Sequence, residues 1–115
     1  MMADSEMANV QSCIDACAAA LHACQACAAA DLREGNTSCA PINLDCADIC
    51  AATLKLLSRG SPHHGDFCAL CAHICRACAA ECAKHASMHA HCAACQAACE
   101  RCAAECDKHA RERHI

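Results

Sequence analysis

The stretch "CRACAAECAKH", residues 75 to 85, sets Cys75, Cys78 and Cys82 at spacings of three and four. Those spacings bring side chains to one face of an α-helix, the face on which Leu or Ile normally builds a core. The stretch is part of a longer ladder. "CALCAHICRACAAECAKHA" (68–86) and "CAACQAACERCAAECDKHA" (92–110) match at 12 of 19 positions with an offset of 24. Each copy carries its cysteines in a 3-4-3-4 order, Cys68, Cys71, Cys75, Cys78 and Cys82 in the first and Cys92, Cys95, Cys99, Cys102 and Cys106 in the second. His85 and His109 add one more step of three to each. A mean spacing of 3.5 is the seam of a helix packed against others. "SMHAH" between the copies allows only a tight turn, so the two helices run antiparallel.

The first half repeats the scheme less regularly. A helix from about 9 to 33 holds Cys13, Cys17, Cys24 and Cys27 on one face, with Asp31 on the same face near its end. "EGNTSCAP" breaks the chain through Gly35 and Pro41. A second helix, 43–58, aligns Cys46, Cys50, Thr53 and Leu57. In "RGSP", Gly60 suits a helix C-terminus, Ser61 an N-cap and Pro62 the first turn of a third helix. β-branched residues are few, strand-like alternation is missing, and alanine favours helix. The expectation is all-α: one domain over 1–115, an up-down-up-down antiparallel four-helix bundle with a cysteine-lined core. Its helices span roughly 9–33, 43–58, 62–85 and 89–112.

Composition narrows the function. The apolar fraction is 57%, but Phe67 is the sole aromatic residue, and cysteine supplies 17 residues. A core of Ala and Cys is thin, since a large buried aliphatic side chain contributes roughly 1.5–3 kcal/mol and alanine far less. A secreted disulfide scaffold does not account for these cysteines. Their number is odd, neighbours project side by side from one helix face rather than toward each other, and "MMADSEMANVQS" has neither a basic start nor an apolar stretch of a signal peptide. The expected compartment is therefore the cytoplasm, where thiols stay reduced and dense thiols read as metal ligands. No run of 18 uncharged apolar residues marks a membrane span. A net charge of −4 with mixed signs offers no nucleic-acid face.

All four cysteine faces point inward, because the opposite faces carry Asp15, His22, Arg33, Asp48, His73, Glu100 and Arg111. Packing alone would be served by Ala, Val or Leu without the oxidation hazard of thiols. Thiolates select Cu(I), Zn(II) or iron–sulfur clusters. Zinc gathers four ligands, commonly with a pair on a turn, and four thiolates per zinc would stack surplus negative charge along a buried axis. Iron–sulfur clusters favour a compact C-x2-C-x2-C run, which this sequence lacks. Cu(I) suits a linear array, because each ion sits between thiolates and each thiolate bridges ions. Near-neutrality then sets a capacity on the order of 15–18 Cu(I) per chain. A zinc or cadmium buffer like metallothionein is one alternative. A thiol redox or electron-transfer protein using pairs such as Cys24/Cys27 is another, although thioredoxin-like chemistry needs a βαβ setting. No catalytic residue is expected.

The chain resembles the cytosolic copper-storage protein family, cysteine-rich four-helix bundles that hold many Cu(I) ions inside. The C-x3-C pairs Cys13/Cys17, Cys46/Cys50, Cys71/Cys75, Cys78/Cys82, Cys95/Cys99 and Cys102/Cys106 carry the likeness, with "LDCADIC" (44–50) and "CAAECAKH" (78–85). The resemblance implies a cytosolic homotetramer that stores copper for enzymes or buffers its toxicity. Cys39 departs from it, standing in the loop before the second helix.

The two ends differ. With the first helix rising, the 33–43 loop and the 85–91 turn lie at the top. Asp31, His85 and Met88 gather there, with Asn43, His89 and His91 nearby, which reads as a copper entrance. Thr53, Leu57 and Phe67 make the bottom a plug, where His109 is a candidate ligand; Cys39, Asp31 and Asn43 are candidate ligands at the top. Met1, Met2 and Met7 are incidental, and "KHARERHI" reads as a solvated tail whose His114 has no metal role. A second stripe, Ile14, Leu21, Ile49, Leu56, Leu70 and Ile74, predicts association with other copies.

Overall fold

The computed structural model describes residues 4–35 and 38–112. The readings of Met1, Met2 and His114 fall outside the described residues, as does the Met7 side chain. Among the described residues the chain forms α1 (Asp4–Arg33), α2 (Ala40–Ser58), α3 (His64–Ala83) and α4 (Ala90–Asp107), with no strand. α1 packs on α2 and α4, and α3 on the same two neighbours. This is the antiparallel four-helix bundle that the ladders predict.

Alanine makes the ring tight. Ala16, Ala20, Ala47, Ala72, Ala79 and Ala103 are buried beside the cysteines, and their small side chains let the helices approach closely. Diagonal helices then meet through sulfur: Cys24 of α1 lies 3.8 Å from Cys78 of α3, and Cys46 of α2 lies 3.8 Å from Cys99 of α4. Leu57 closes the core at the bottom.

Element boundaries differ from the sequence reading where end chemistry intervenes. α2 begins three residues early, because Pro41 sits in its first turn rather than ahead of it; proline is tolerated there, where its missing N–H costs nothing. The buried Asp31 carboxylate caps that start, accepting the backbone N–H of Cys39 and Ala40 at 3.0 and 3.1 Å. α2 stops at a Schellman turn, with Ser61 N–H on Leu56 C=O, Gly60 N–H on Leu57 C=O and Gly60 at φ +65°. α3 starts at His64, after Pro62 and His63 have formed a turn. α4 ends at Asp107 rather than 112. Beyond it the described residues 108–112 are no helix end: they turn back, and Glu112 accepts from both His64 and His109, while Lys108 and Arg111 stay exposed.

α1 is long and apolar enough over Val10–Arg33 to cross a membrane by length and composition, whereas the sequence reading, which asked for 18 uncharged apolar residues, expected no span. Its apolar character comes largely from the fully buried Cys13, Cys17, Cys24 and Cys27 and from the alanines that pack with them. Asp15 and His22, on the opposite face, are exposed.

Candidate metal centre

The 3-4 spacing of each helix delivers a thiol to the axis about once per turn, and the ring of helices supplies several thiols at each level. All 17 cysteines are free and fully buried. Twelve of their Sγ atoms form one connected path. From the bottom it runs Cys13–Cys106 (3.8 Å), Cys106–Cys17 (3.9 Å), Cys17–Cys102 (3.7 Å), Cys102–Cys71 (3.9 Å) and Cys71–Cys50 (3.8 Å). It continues Cys50–Cys75 (3.7 Å), Cys75–Cys46 (3.6 Å), Cys46–Cys99 (3.8 Å), Cys99–Cys24 (3.5 Å), Cys24–Cys78 (3.8 Å) and Cys78–Cys95 (4.0 Å).

Thiols also converge in groups. Cys17, Cys71, Cys102 and Cys106 lie within 4.8 Å of one another, as do Cys24, Cys46, Cys78 and Cys99, and Cys50, Cys71, Cys75 and Cys102. This corrects one step of the sequence argument, because four-thiol groups need no compact loop when four helices contribute. A tetrahedral zinc site with bonds of about 2.3 Å has S···S edges of about 3.8 Å, so distance alone admits zinc. Sharing argues against it. Cys71 and Cys102 each belong to two groups and Cys106 joins Cys13 and Cys68 in another, and such overlap calls for bridging thiolates and a low-charge ion.

Proton sharing mirrors that overlap. Cys71 is held below the ordinary thiol value first by its hydrogen bond with Cys102, and Cys99 by that with Cys24. Cys75 and Cys106 are pushed up, each first through Cys102. Cys92 is pushed up to about 12 by burial and then by the negative charge of Cys27 and Cys39. Burial also raises Cys39.

The upper seam changes chemistry. Asn43 is fully buried, and its Oδ1 accepts from the thiols of Cys78, Cys95 and Cys82 at 3.1, 3.6 and 3.7 Å. Cys39 is fully buried too, with Sγ 3.9 Å from the Glu81 carbonyl. It lies on the seam rather than off it, since 39, 43, 46 and 50 continue the same four-three-four ladder through the helix start. Above them His91 Nδ1 is 3.4 Å from Cys27 Sγ and 3.6 Å from Cys92 Sγ. Its Nε2 faces Glu34 at 3.2 Å, and Glu34 also meets His89 at 3.4 Å. His85 Nε2 is 2.9 Å from Ser38 Oγ. Met88 is 82% exposed and stands clear of the thiols. Asp31 spends one oxygen on the α2 cap, while Oδ1 is buried without a partner among the described residues.

At the bottom, α2 presents Thr53 and Leu57, both buried, in place of thiols, and Phe67 is half-buried. The Thr53 hydroxyl donates to the Ile49 carbonyl at 2.7 Å. His109 and His64 are buried here. Sequence reasoning places His64 at the bottom end but missed Glu34, Ser38 and Glu112 as parts of the two ends. Glu112 stands three residues after His109, a visible spacing, but its pairing with His64 across 48 residues leaves no local trace.

Comparison with known proteins places this geometry in context. Residues 6–111 match the family model described as copper storage protein. The metal-free copper storage protein 3 of Bacillus subtilis is 42% identical, with a TM-score of 0.81 over 87% of this chain and 97% of that one. The Cu(I)-bound form of that Bacillus protein gives 40% identity and a TM-score of 0.82 over 89% and 98%. A cytosolic copper storage protein of Streptomyces lividans, solved with five coppers, gives 32% identity and a TM-score of 0.84 over 97% and 100%.

Proposed function

The chain belongs to the copper storage protein family, and we propose that it stores Cu(I) as a continuous string of ions held by thiolates along the bundle axis. The observation that carries this reading is the unbroken Sγ path with thiols shared between neighbouring groups. Shared thiolates and monovalent ions come close to neutrality inside a dry tube, where surplus charge is costly. The ligands are Cys13, Cys17, Cys24, Cys27, Cys46, Cys50, Cys68, Cys71, Cys75, Cys78, Cys82, Cys92, Cys95, Cys99, Cys102 and Cys106, with Cys39 as a further thiol at the top.

Copper enters at the top. Imidazole and thioether bind Cu(I) less tightly than thiolate, so they accept an ion and release it inward by ligand exchange. His91 stands on the seam for that step, with His85, His89 and Met88 around the rim. Asn43 and Asp31 order this end, the first as an oxygen among thiols and the second as a helix cap. Storage, not catalysis, is the task, and it is carried out in the cytosol, where thiols stay reduced. Exposed Leu44 and Leu70 with half-buried Ile42, Ile49 and Ile74 support a homo-oligomer, a tetramer by the family's pattern; Leu56 of the same stripe is spent inside the protomer.

Anaerobic titration of the reduced protein with Cu(I) against a chelator tests the reading. Saturation is expected near one ion per thiol, on the order of 15–18 per chain. Zinc, which needs four thiolates per ion, should stop at about four. Saturation at one to four equivalents of Cu(I) overturns the proposal, and tighter, stoichiometric zinc binding favours a zinc buffer instead.

A further inference from the structure

The lower end of the thiol path holds an arrangement that storage by thiolate alone does not use. After α4 the chain makes a turn, with His109 N–H on Cys106 C=O and Glu112 N–H on His109 C=O, each at 3.0 Å. This brings Glu112 across the start of α3. Its seat there is Gly65, where a Cβ would overlap the Glu112 carbonyl oxygen. From that seat one carboxylate oxygen, Oε1, meets Nδ1 of His109 at 2.8 Å and Nε2 of His64 at 3.0 Å. His64 Nδ1 lies 2.9 Å from the Ser61 carbonyl.

A carboxylate accepts and does not donate, so Nδ1 of His109 carries the proton and the neutral ring keeps a lone pair on Nε2. Nε2 is buried and has no hydrogen-bond partner among the described residues. A buried polar atom left unpaired is costly. A carboxylate holding one imidazole nitrogen so that the other is free to ligate is the arrangement that orients metal-bound histidines. The neighbourhood fits. His109 follows Cys106 by three residues, and Cys13, Cys68 and Cys106 form the last thiol group of the tube.

Resting on the copper reading above, we propose that the tube ends in a mixed thiolate–imidazole Cu(I) site. Cys13, Cys68 and Cys106 supply its sulfurs, Nε2 of His109 supplies its nitrogen, and Glu112 is the residue that positions the imidazole. The charge logic favours a nitrogen at this place. Inside the tube a thiolate's charge is shared by ions above and below it, whereas the terminal ion has a neighbour on one side only. A neutral donor closes the string without adding charge. Thr53 and Leu57 leave no fourth thiol at this level, and His109 fills that role.

The test uses the full chain, isotopically labelled and loaded anaerobically with Cu(I), a diamagnetic ion suited to NMR. Two-bond 1H–15N correlations report each nitrogen of His109. On full loading Nε2 should leave its metal-free position while Nδ1 keeps its proton. Glu112→Gln and Gly65→Ala should each weaken the hold on one ion by roughly tenfold in chelator competition, with far-UV circular dichroism and the remaining capacity unchanged. His109→Ala should do at least as much. If Nε2 stays at its metal-free position while the chain takes up its full complement of copper, the terminal site is overturned and storage stands. If the chain saturates at a few ions, both fall.

Discussion

The segments "ECAKHA" (81–86) and "ECDKHA" (105–110) are nearly identical and end α3 and α4 at opposite poles of the bundle. Locally they behave alike. Lys84 and Lys108 close their helices onto the carbonyls of Glu81 and Glu105, the histidines follow onto Cys82 and Cys106, and each lysine pairs with its glutamate. The histidines nevertheless reach different environments. His85 is half-buried against Ser38 from the α1–α2 loop, while His109 is buried under Glu112. The segment fixes the turn, and the chain that passes over it fixes the chemistry. At the top a loop and half-buried imidazoles leave the seam approachable. At the bottom the tail seals it.

The largest expected effect breaks this contrast in rate. Replacing His85, His89 and His91 together with alanine should slow Cu(I) uptake by roughly tenfold or more with little change in final capacity, as followed by stopped flow. The surface pair His22 and His73, replaced in the same way, is the control and should leave the rate alone; equal slowing would mean that imidazoles matter anywhere on the surface and that the top is no mouth. Next comes Leu57→Ala, which opens the plug. It should cost the metal-free protein roughly 2–5 kcal/mol in denaturant unfolding without speeding uptake. Faster uptake would put the entrance at the bottom.

A pH series sharpens the comparison further. Cys92, pushed up to about 12 by burial beside Cys27 and Cys39, is protonated throughout the neutral range, so copper must displace its proton. Affinity at the top should rise with pH by about tenfold per unit for each proton released, read by chelator competition at several pH values. At the bottom Glu105 is held below the usual carboxylate value by Lys108 and then Ser12. Its contribution to folding is present above the unfolded pKa of about 4.3 and is lost as pH falls through the lower folded value. Acid unfolding of Glu105→Gln should therefore show a shallower pH dependence. The smallest effect belongs to Met88, whose exposed side chain predicts a change in uptake within about twofold on replacement by alanine.

The fold was legible because its signal is periodic. Five-thiol ladders in two copies set the faces of α3 and α4, and the tight turn between them set their direction. What the sequence concealed lies in contacts between distant segments. Cys39 looked like a loop residue because Pro41 suggested a later helix start, yet Asp31 caps α2 early and carries the ladder up to Cys39. Four-thiol groups looked unavailable without a loop motif, although a ring of helices assembles them. The tail looked solvated because it is rich in charge, and nothing local announces that Gly65 leaves room for Glu112. A ligating role for His109 could be guessed from the ladder step alone. The carboxylate that aims it could not.

The unbroken Sγ path has a consequence for the order of traffic. A single file of sites with a door at one end and a seal at the other is a stack: the ion that arrives last stands nearest the door and leaves first. A chain filled with one copper isotope and topped up with a second should return the second to a chelator ahead of the first. The protein would then carry, in the depth at which each ion sits, a record of when it was received.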